Sequence, residues 1–251
     1  MNVARTLAGL GFLDARKTGQ TDLGQKFARR GPWITKFTID GNSYGGWFDA
    51  VNDPRVEQFH RAFPAARSVL ERGSLEGGHT IAFARTPGVS QVVALEGRAE
   101  NISRAQFVVE LLKLPNVRFE QINLEYRETL ASFGIFDAVY CCGLLYHLPR
   151  PWELLKQIAR TPGNLFLSTH YSAPETAKVV REGYSGSWYT EAGVKDPLSG
   201  LSKTSFWPTL PCLSSMLQNN GFAEVGMIQN DEAHQSSSKW TTGYTRRQNK
   251  P

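Results

Sequence analysis

Between residues 66 and 97 the hydrophobic positions change period twice. Val69 and Leu70 follow Ser68 as a short apolar run, as expected of a strand buried on both faces. Glu71 closes that run. Gly73, Gly77 and Gly78 then form a turn in which the backbone can bend sharply and approach a ligand. From Glu76 a helix is expected to carry Ile81, Ala82 and Phe83 to Arg85. Val92-Val93-Ala94-Leu95 reads as a second strand, ending in Glu96.

The alternation continues downstream. Residues 99–114 place Ile102, Ala105, Phe107, Val108, Leu111 and Leu112 at mostly helical spacing, and Pro115 ends the segment. Residues 117–122 read as a third strand, 126–133 as a short helix and 136–142 as a fourth strand. A helix over 152–160 and a fifth strand over 164–169 follow. Residues 210–220 form a last helix, stopped by Gly221, and 223–228 with 239–245 form a closing pair of strands. This order predicts an α/β fold with a doubly wound, mostly parallel sheet and helices on both faces. Residues 171–207 show no clear element yet carry Tyr184, Trp188, Tyr189, Phe206 and Trp207, so a lid after the fifth strand is expected. Upstream, 1–30 read as one or two helices, with Asp22 capping the second, and 33–39 as an edge strand before the turn Asp40-Gly41-Asn42. Residues 56–63 read as a helix leading into the sheet. The expected organisation is an N-terminal extension over 1–59 and one domain over 60–251, with the lid at about 171–207.

Composition narrows the class. A hydrophobic fraction of 41% over 251 residues can fill a core. No apolar run approaches the ~20 residues that span a bilayer, so no membrane partner is expected. The N-terminus lacks a signal peptide's long apolar block; it is basic and amphipathic, which leaves a transit peptide as the alternative to a plain helix. Cys141, Cys142 and Cys212 are odd in number and lack metal spacing, which suggests reduced thiols, a cytoplasmic location and no metal site. His60, His79 and His234 show no clustered partners. The net charge of +5 belongs to the ends: residues 1–36 hold seven Lys/Arg against two Asp, and Arg246, Arg247 and Lys250 close the chain. The middle carries 18 basic and 21 acidic residues. Basic ends can grip phosphate backbones; the alternative is solvated ends with no partner.

The glycine turn is not the dinucleotide fingerprint. G-x-G-x-x-G needs a glycine two positions after the first, and Leu75 stands there. Glu71 before the turn would repel a pyrophosphate. It would attract a sulfonium cofactor with a free amino group, which points to S-adenosylmethionine (SAM) rather than NAD. Glu96, ~20 residues past the turn, can accept both hydroxyl hydrogens of a ribose.

VLERGSLEGG and FDAVYCCGLLYHLPRPWELLKQIA resemble the first motif and the fourth-strand segment of class I SAM-dependent methyltransferases, and the resemblance spans roughly residues 60–245. Within that superfamily, LLYHLPRP and the upstream DG…W segment are most similar to enzymes that modify the wobble uridine of tRNA from carboxy-SAM. They also occur in small-molecule and saccharide methyltransferases. The resemblance implies a Rossmann-like, seven-stranded sheet with SAM across the carboxyl ends of its first, second and fourth strands. Position by position, it implies Glu71, Gly73 and Ser74 around the methionine part and a close approach at Gly77. Glu96 would hold the ribose, with Gly97 and Arg98 beside it. Asn123 and Leu124 would lie against adenine, and Cys142 and Gly143 beside the sulfonium. Two positions depart from the pattern. Arg72 replaces an apolar residue and is expected to reach solvent, a carboxylate or the substrate, because a buried unpaired cation is costly. Asn123 replaces an Asp.

Methyl transfer is an in-line displacement at an activated carbon, and a base is needed only where the acceptor must lose a proton. His147 after the fourth strand and His170 at the end of the fifth are the candidates. For each, the alternative is a structural histidine that fixes its loop. Cys142 reads as a buried, inert thiol rather than a nucleophile. The implied activity is methyl transfer to a small-molecule or saccharide acceptor. The alternatives are wobble-uridine modification of tRNA from carboxy-SAM, and a non-catalytic SAM-fold partner.

Overall fold

The computed structural model describes residues 22–125, 133–161, 163–231 and 238–247. The chain divides into two compact units, Met1–Ala50 and Val51–Pro251. In the first, helix α1 (22–28) precedes a hairpin of β1 (Lys36–Ile39) and β2 (Asn42–Gly45). The hairpin turns at Asp40-Gly41, both at positive φ, as two-residue turns matched to strand twist require. Phe27 packs on Trp33 and Tyr44 with ring centroids 4.9 and 5.0 Å apart, giving this unit its own aromatic core.

The second unit opens on α2 (Pro54–Ala62). Asp53 caps it by accepting from Arg55 N at 2.9 Å, and Pro54 occupies its first turn. Strands β3 (Ser68–Arg72), β4 (Gln91–Glu96) and β5 (Val117–Gln121) alternate with α3 (Gly78–Arg85) and α4 (Ala99–Leu111). Then come β6 (Ala138–Cys142), α5 (Pro151–Arg160) and β7 (Asn164–Ser172). Strands β3 to β7 are parallel. The expected closing pair is β11 (Phe222–Asp231) and β12 (Ser238–Arg247), antiparallel to each other, with β12 antiparallel to β7. The seven strands lie in the order β11-β12-β7-β6-β3-β4-β5. The chain builds outward from β3 to β5, then returns to lay β6 on the other side of β3. That reversal opens a crevice at the carboxyl ends of β3 and β6, where open α/β sheets bind ligands.

Strand alternation decides the two layers. Leu70, Val93, Val139, Cys141 and Leu165 share one buried cluster with residues of α5 and with Leu213, Met216 and Leu217 of α6 (Leu210–Asn219). Val69, Val92, Tyr140 and Phe166 share the other with α2 and α3. At the opposite edge, Asp137 Oδ2 accepts from Arg67 N, Ser68 N and Ser68 Oγ at 2.8–2.9 Å, joining the starts of β3 and β6.

Residues 171–207 correct the expectation of an element-free lid. They contain β8 (Val179–Arg181), β9 (Tyr184–Thr190) and β10 (Thr204–Pro208), an antiparallel sheet in the order β10-β9-β8. Gly186 sits where a Cβ would fall 2.2 Å from Trp207 O, so the tight pairing of β9 and β10 depends on it. Phe206 and Trp207 are buried, whereas Trp188 and Tyr189 are exposed. Most of the expected helix at 126–133 lies outside the described residues, as do the first 21 residues. Among the described residues, no helix is long and apolar enough to cross a membrane.

Candidate active site

Several loops meet at the carboxyl edge of the sheet. After β3, Gly73 N and Ser74 N donate to Leu95 O at 2.9 and 3.2 Å. Gly73 and Gly77 take φ of 76° and 77°. A Cβ at Gly73 would meet Leu144 Cβ at 3.0 Å, and one at Gly77 would meet Ala105 Cβ at 2.9 Å. Packing within the protein therefore demands both glycines before any ligand is considered. Gly143 after β6 differs: the one described atom within 4 Å of a Cβ there is the Tyr146 hydroxyl, at 4.0 Å. It leaves open space at the end of the strand.

Glu71 is almost wholly buried at the end of β3. Its Oε2 accepts from Thr80 Oγ1 at 2.5 Å, while Oε1 has no hydrogen-bond partner among the described residues. Burial lifts this carboxyl to about 7, with Thr80 pulling it down and Glu96 pushing it further up. Ser74 Oγ is also buried without a partner among the described residues. A carboxylate oxygen and a hydroxyl left unsatisfied at a glycine turn suit the ammonium end of a bound amino-acid moiety, so the residues present fit SAM.

Beside them lies a cluster that the linear spacing conceals. His79 Nε2 is 3.1 Å from Asp53 Oδ2, and its Nδ1 is 3.8 Å from Glu71 Oε1. Arg55 grips Asp53 through Nε and Nη2. Burial would raise the Asp53 pKa, but the bonds from His79 and Arg55 hold it well below the usual range. His79 thus does have charged partners, contrary to the expectation; the nearer in space, Asp53, stands 26 residues upstream, in the helix-start signal Asp53-Pro54. Among the described residues no group could hold a metal ion, and His234 lies outside them.

Glu96 accepts from Leu75 N and Arg98 N, both at 2.9 Å, and from Asn101 Nδ2 at 3.3 Å. Burial raises its pKa against these bonds. A carboxylate offers about four acceptor sites, so roughly one remains for a ribose hydroxyl. Leu201 fills the space a side chain at Gly97 would take. Asn123 Oδ1 accepts from Glu125 N at 3.0 Å, and Leu124 belongs to the core. The Cys142 thiol is buried and pushed far up by burial, which keeps it protonated.

Arg72 reaches neither solvent nor, among the described residues, a carboxylate. It is 0% exposed, and none of its three side-chain nitrogens has a hydrogen-bond partner among the described residues. Alternation puts it on the same face of β3 as Leu70, over the α5–α6 layer. Burial lowers its pKa to about 10, with Cys141 pushing it back up.

Tyr146 brings both candidate histidines together: its ring lies 4.1 Å from that of His147 and 4.5 Å from that of His170. His147 Nδ1 is 3.1 and 3.2 Å from the two oxygens of Glu191. Glu191 is 6% exposed and also accepts from Ser199 Oγ, Gly200 N and Ser205 Oγ at 2.5, 2.8 and 2.7 Å. Burial would raise its pKa; these bonds hold it below the ordinary value. An ionised carboxylate only accepts, so Nδ1 of neutral His147 carries the hydrogen and Nε2 is left as the acceptor. Burial pulls the His147 pKa down against the upward push of Glu191, which favours the neutral ring. Trp207 stacks between His170 and Tyr189, with centroids at 5.1 and 4.6 Å and planes within 9° and 12°. Glu191 is 44 residues from His147, in a segment without a visible element, and nothing in the linear sequence announced it.

A methyltransferase-domain family model matches residues 47–225. The chain is 33% identical to the N-terminal domain of EvdMO1, solved in the presence of SAH and D-fucose, with a TM-score of 0.82 over 91% of this chain and 97% of that one. Against the EvdMO1 structure of about twice the length, the identity is 31% and the TM-score 0.72, over 96% of this chain and 50% of that one. It is 27% identical to a tRNA U34 carboxymethyltransferase of Syntrophotalea carbinolica over 186 residues, 73% of this chain and 50% of the relative. The chain thus spans about half the length of the curated relatives it matches.

Proposed function

The chain belongs to the methyltransferase-domain family, and on that premise we propose that it transfers the methyl group of SAM to a saccharide hydroxyl, with His147 as the base. The observation that carries this reading is the His147–Glu191 pair, with Nε2 of His147 left to accept a proton. It lies after β6, the strand next to β3 and its buried Glu71. An N–H or enolic acceptor can often react without such a base; an alkyl hydroxyl, a poor nucleophile until deprotonated, gains most from one.

When bound, SAM supplies a methyl group already activated by the adjoining sulfonium. Glu71 and Ser74 would hold its ammonium end and Glu96 its ribose, while Gly143 would leave room beside the transferred group. Glu191 fixes the ring of His147, and Nε2 would take the hydroxyl proton while the acceptor oxygen displaces the sulfur from the methyl carbon, so that a methyl ether and SAH would leave. Tyr189, half exposed and backed by Trp207, offers an aromatic face of the kind on which the apolar side of a sugar ring rests. The presence of D-fucose with SAH in the structure of the EvdMO1 domain supports a sugar acceptor. Carboxy-SAM, which the similarity to tRNA U34 carboxymethyltransferases suggests, would add a carboxylate at this edge. Arg55, whose charge bears on Tyr146, is already engaged by Asp53.

The test supplies methyl-labelled SAM with a panel of deoxyhexoses and their glycosides, D-fucose included, and in parallel with bulk tRNA plus SAM or carboxy-SAM. Label is expected in a sugar. His147→Ala should lower kcat by about 10²–10⁴-fold, the usual contribution of a general base. Modified tRNA with unlabelled sugars would overturn the reading, as would tight SAH binding with no transfer to any acceptor.

A further inference from the structure

Residues 193–202 run across the carboxyl edge of the sheet and are tied down at three places. At β4, the Arg98 Nη2 lies within 2.8–3.5 Å of four carbonyl oxygens, those of Gly193, Asp196, Ser199 and Gly200. Beyond β5, Ser202 donates to Glu125 through N and Oγ at 2.9 and 2.6 Å. After β6, Gly200 packs so closely that a Cβ there would fall 2.4 Å from His147 O.

Two of the residues in this loop, Ser199 and Gly200, also hold Glu191. The cup of four carbonyls has converging negative dipoles and needs a cation at its centre; one guanidinium nitrogen supplies it. The backbone N–H of the same Arg98 donates to Glu96 Oε1. A single residue therefore touches the carboxylate assigned to the ribose and the loop that fixes the histidine's carboxylate.

We propose that Arg98 is a positioning residue that shapes the 193–202 loop and thereby sets the tautomer of His147 through Glu191. This rests on the reading of His147 as the base. The path is short: Arg98 holds the carbonyls of Ser199 and Gly200, their N–H and O–H groups hold Glu191, and Glu191 holds Nδ1–H. Without the cation the four carbonyls repel one another and the loop opens. Glu191 then loses two of its donors and His147 its fixed partner. A free neutral imidazole prefers the other tautomer, with Nε2–H, which cannot accept the acceptor's proton.

The test records imidazole 15N spectra of the full-length protein as wild type, Arg98→Ala and Arg98→Lys, with and without SAH, with His147→Ala assigning the signal. The wild type is expected to show His147 as Nδ1–H. In Arg98→Ala at least half of the signal should move to Nε2–H, and amide exchange over 193–202 should speed up by tenfold or more. Arg98→Lys, which keeps the charge, should restore most of the wild-type signal. Gly200→Ala presses the loop away from His147 while keeping the Arg98 side chain itself, and should shift the tautomer in the same sense should Arg98→Ala fail to fold. A folded Arg98→Ala protein that keeps Nδ1–H would overturn the proposal, even with a lowered melting temperature. The two readings fail separately. Loss of methyl transfer in His147→Ala beside an unmoved tautomer in Arg98→Ala removes the positioning role and keeps the base. A moved tautomer beside an unimpaired His147→Ala keeps the link and removes the base.

Discussion

A carboxyl whose pKa sits at about 7, as burial sets for Glu71, is a mixture of acid and carboxylate at neutral pH. Pairing with an ammonium requires the carboxylate. SAH affinity is therefore expected to weaken as pH falls below about 7, and binding near that pH to release a proton. Calorimetry in buffers of different ionisation enthalpy reads the proton directly, and Glu71→Gln should abolish both effects; a pH-independent affinity in the wild type would remove Glu71 from the ammonium site. The sign for stability is the opposite. The native state binds more protons than the unfolded one between the ordinary carboxyl value of 4.5 and about 7, so this group's contribution falls as pH rises through that window. Arg72 poses the simpler residue-scale question. Its guanidinium is buried without a hydrogen-bond partner among the described residues, in a position whose neighbour two residues back is Leu70. Replacing a buried charge with an apolar side chain of similar volume is often stabilising by about 1–4 kcal/mol. Arg72→Leu is accordingly expected to raise the midpoint of urea unfolding with an unchanged slope. A lower midpoint would mean that the cation has a partner in solution.

Elements with a private pattern were legible in the sequence, and elements defined by their partners were not. The runs at β3, β4 and β6 are apolar because both faces are covered, and the turn glycines and the acids after them mark where those strands end. The sheet of β8 to β10 is different. Strand β8 has three residues, β9 contains Gly186 with exposed Trp188 and Tyr189, and the pairing is fixed by contacts across 171–207 that no local period reveals. The same distance hid Glu191 from His147 and Asp53 from His79, while the first motif exposed Glu71 and Glu96 at once. This small sheet carries its own prediction. Tyr189 is half exposed and stacks on Trp207, so Tyr189→Ala should remove a contact face without opening the core. Loss of that face is expected to raise KM for a sugar acceptor by about 2–10-fold, equivalent to ~0.5–1.5 kcal/mol. SAH affinity and melting temperature should stay near wild type. A fall in melting temperature with unchanged acceptor kinetics would make Tyr189 a packing residue.

Across the whole chain, charge separates the two acceptor classes more sharply than any single contact. The excess of Lys and Arg lies in residues 1–36 and at 246–250, and the stretch between them is mildly acidic. A protein that reads tRNA must neutralise several phosphates, and each one neutralised steepens the loss of affinity with salt. The stretch that bears Glu71, Glu96 and Glu191 holds 18 basic against 21 acidic residues, a poor balance for a broad phosphate-binding platform. Binding of bulk tRNA is therefore expected to be non-specific, with a dissociation constant in the range of ~10⁻⁴–10⁻⁶ M at physiological salt. It should weaken steeply between 50 and 200 mM salt by roughly the several decades that many phosphate contacts would bring only if both basic ends take part. Fluorescence anisotropy with labelled tRNA, with and without excess SAH, measures this directly. Charge reversal at Arg246 and Arg247 should flatten the salt dependence and leave sugar methylation unchanged. Nanomolar, salt-resistant binding that discriminates one tRNA from another would contradict the charge argument, and would move the acceptor from a saccharide to the wobble base.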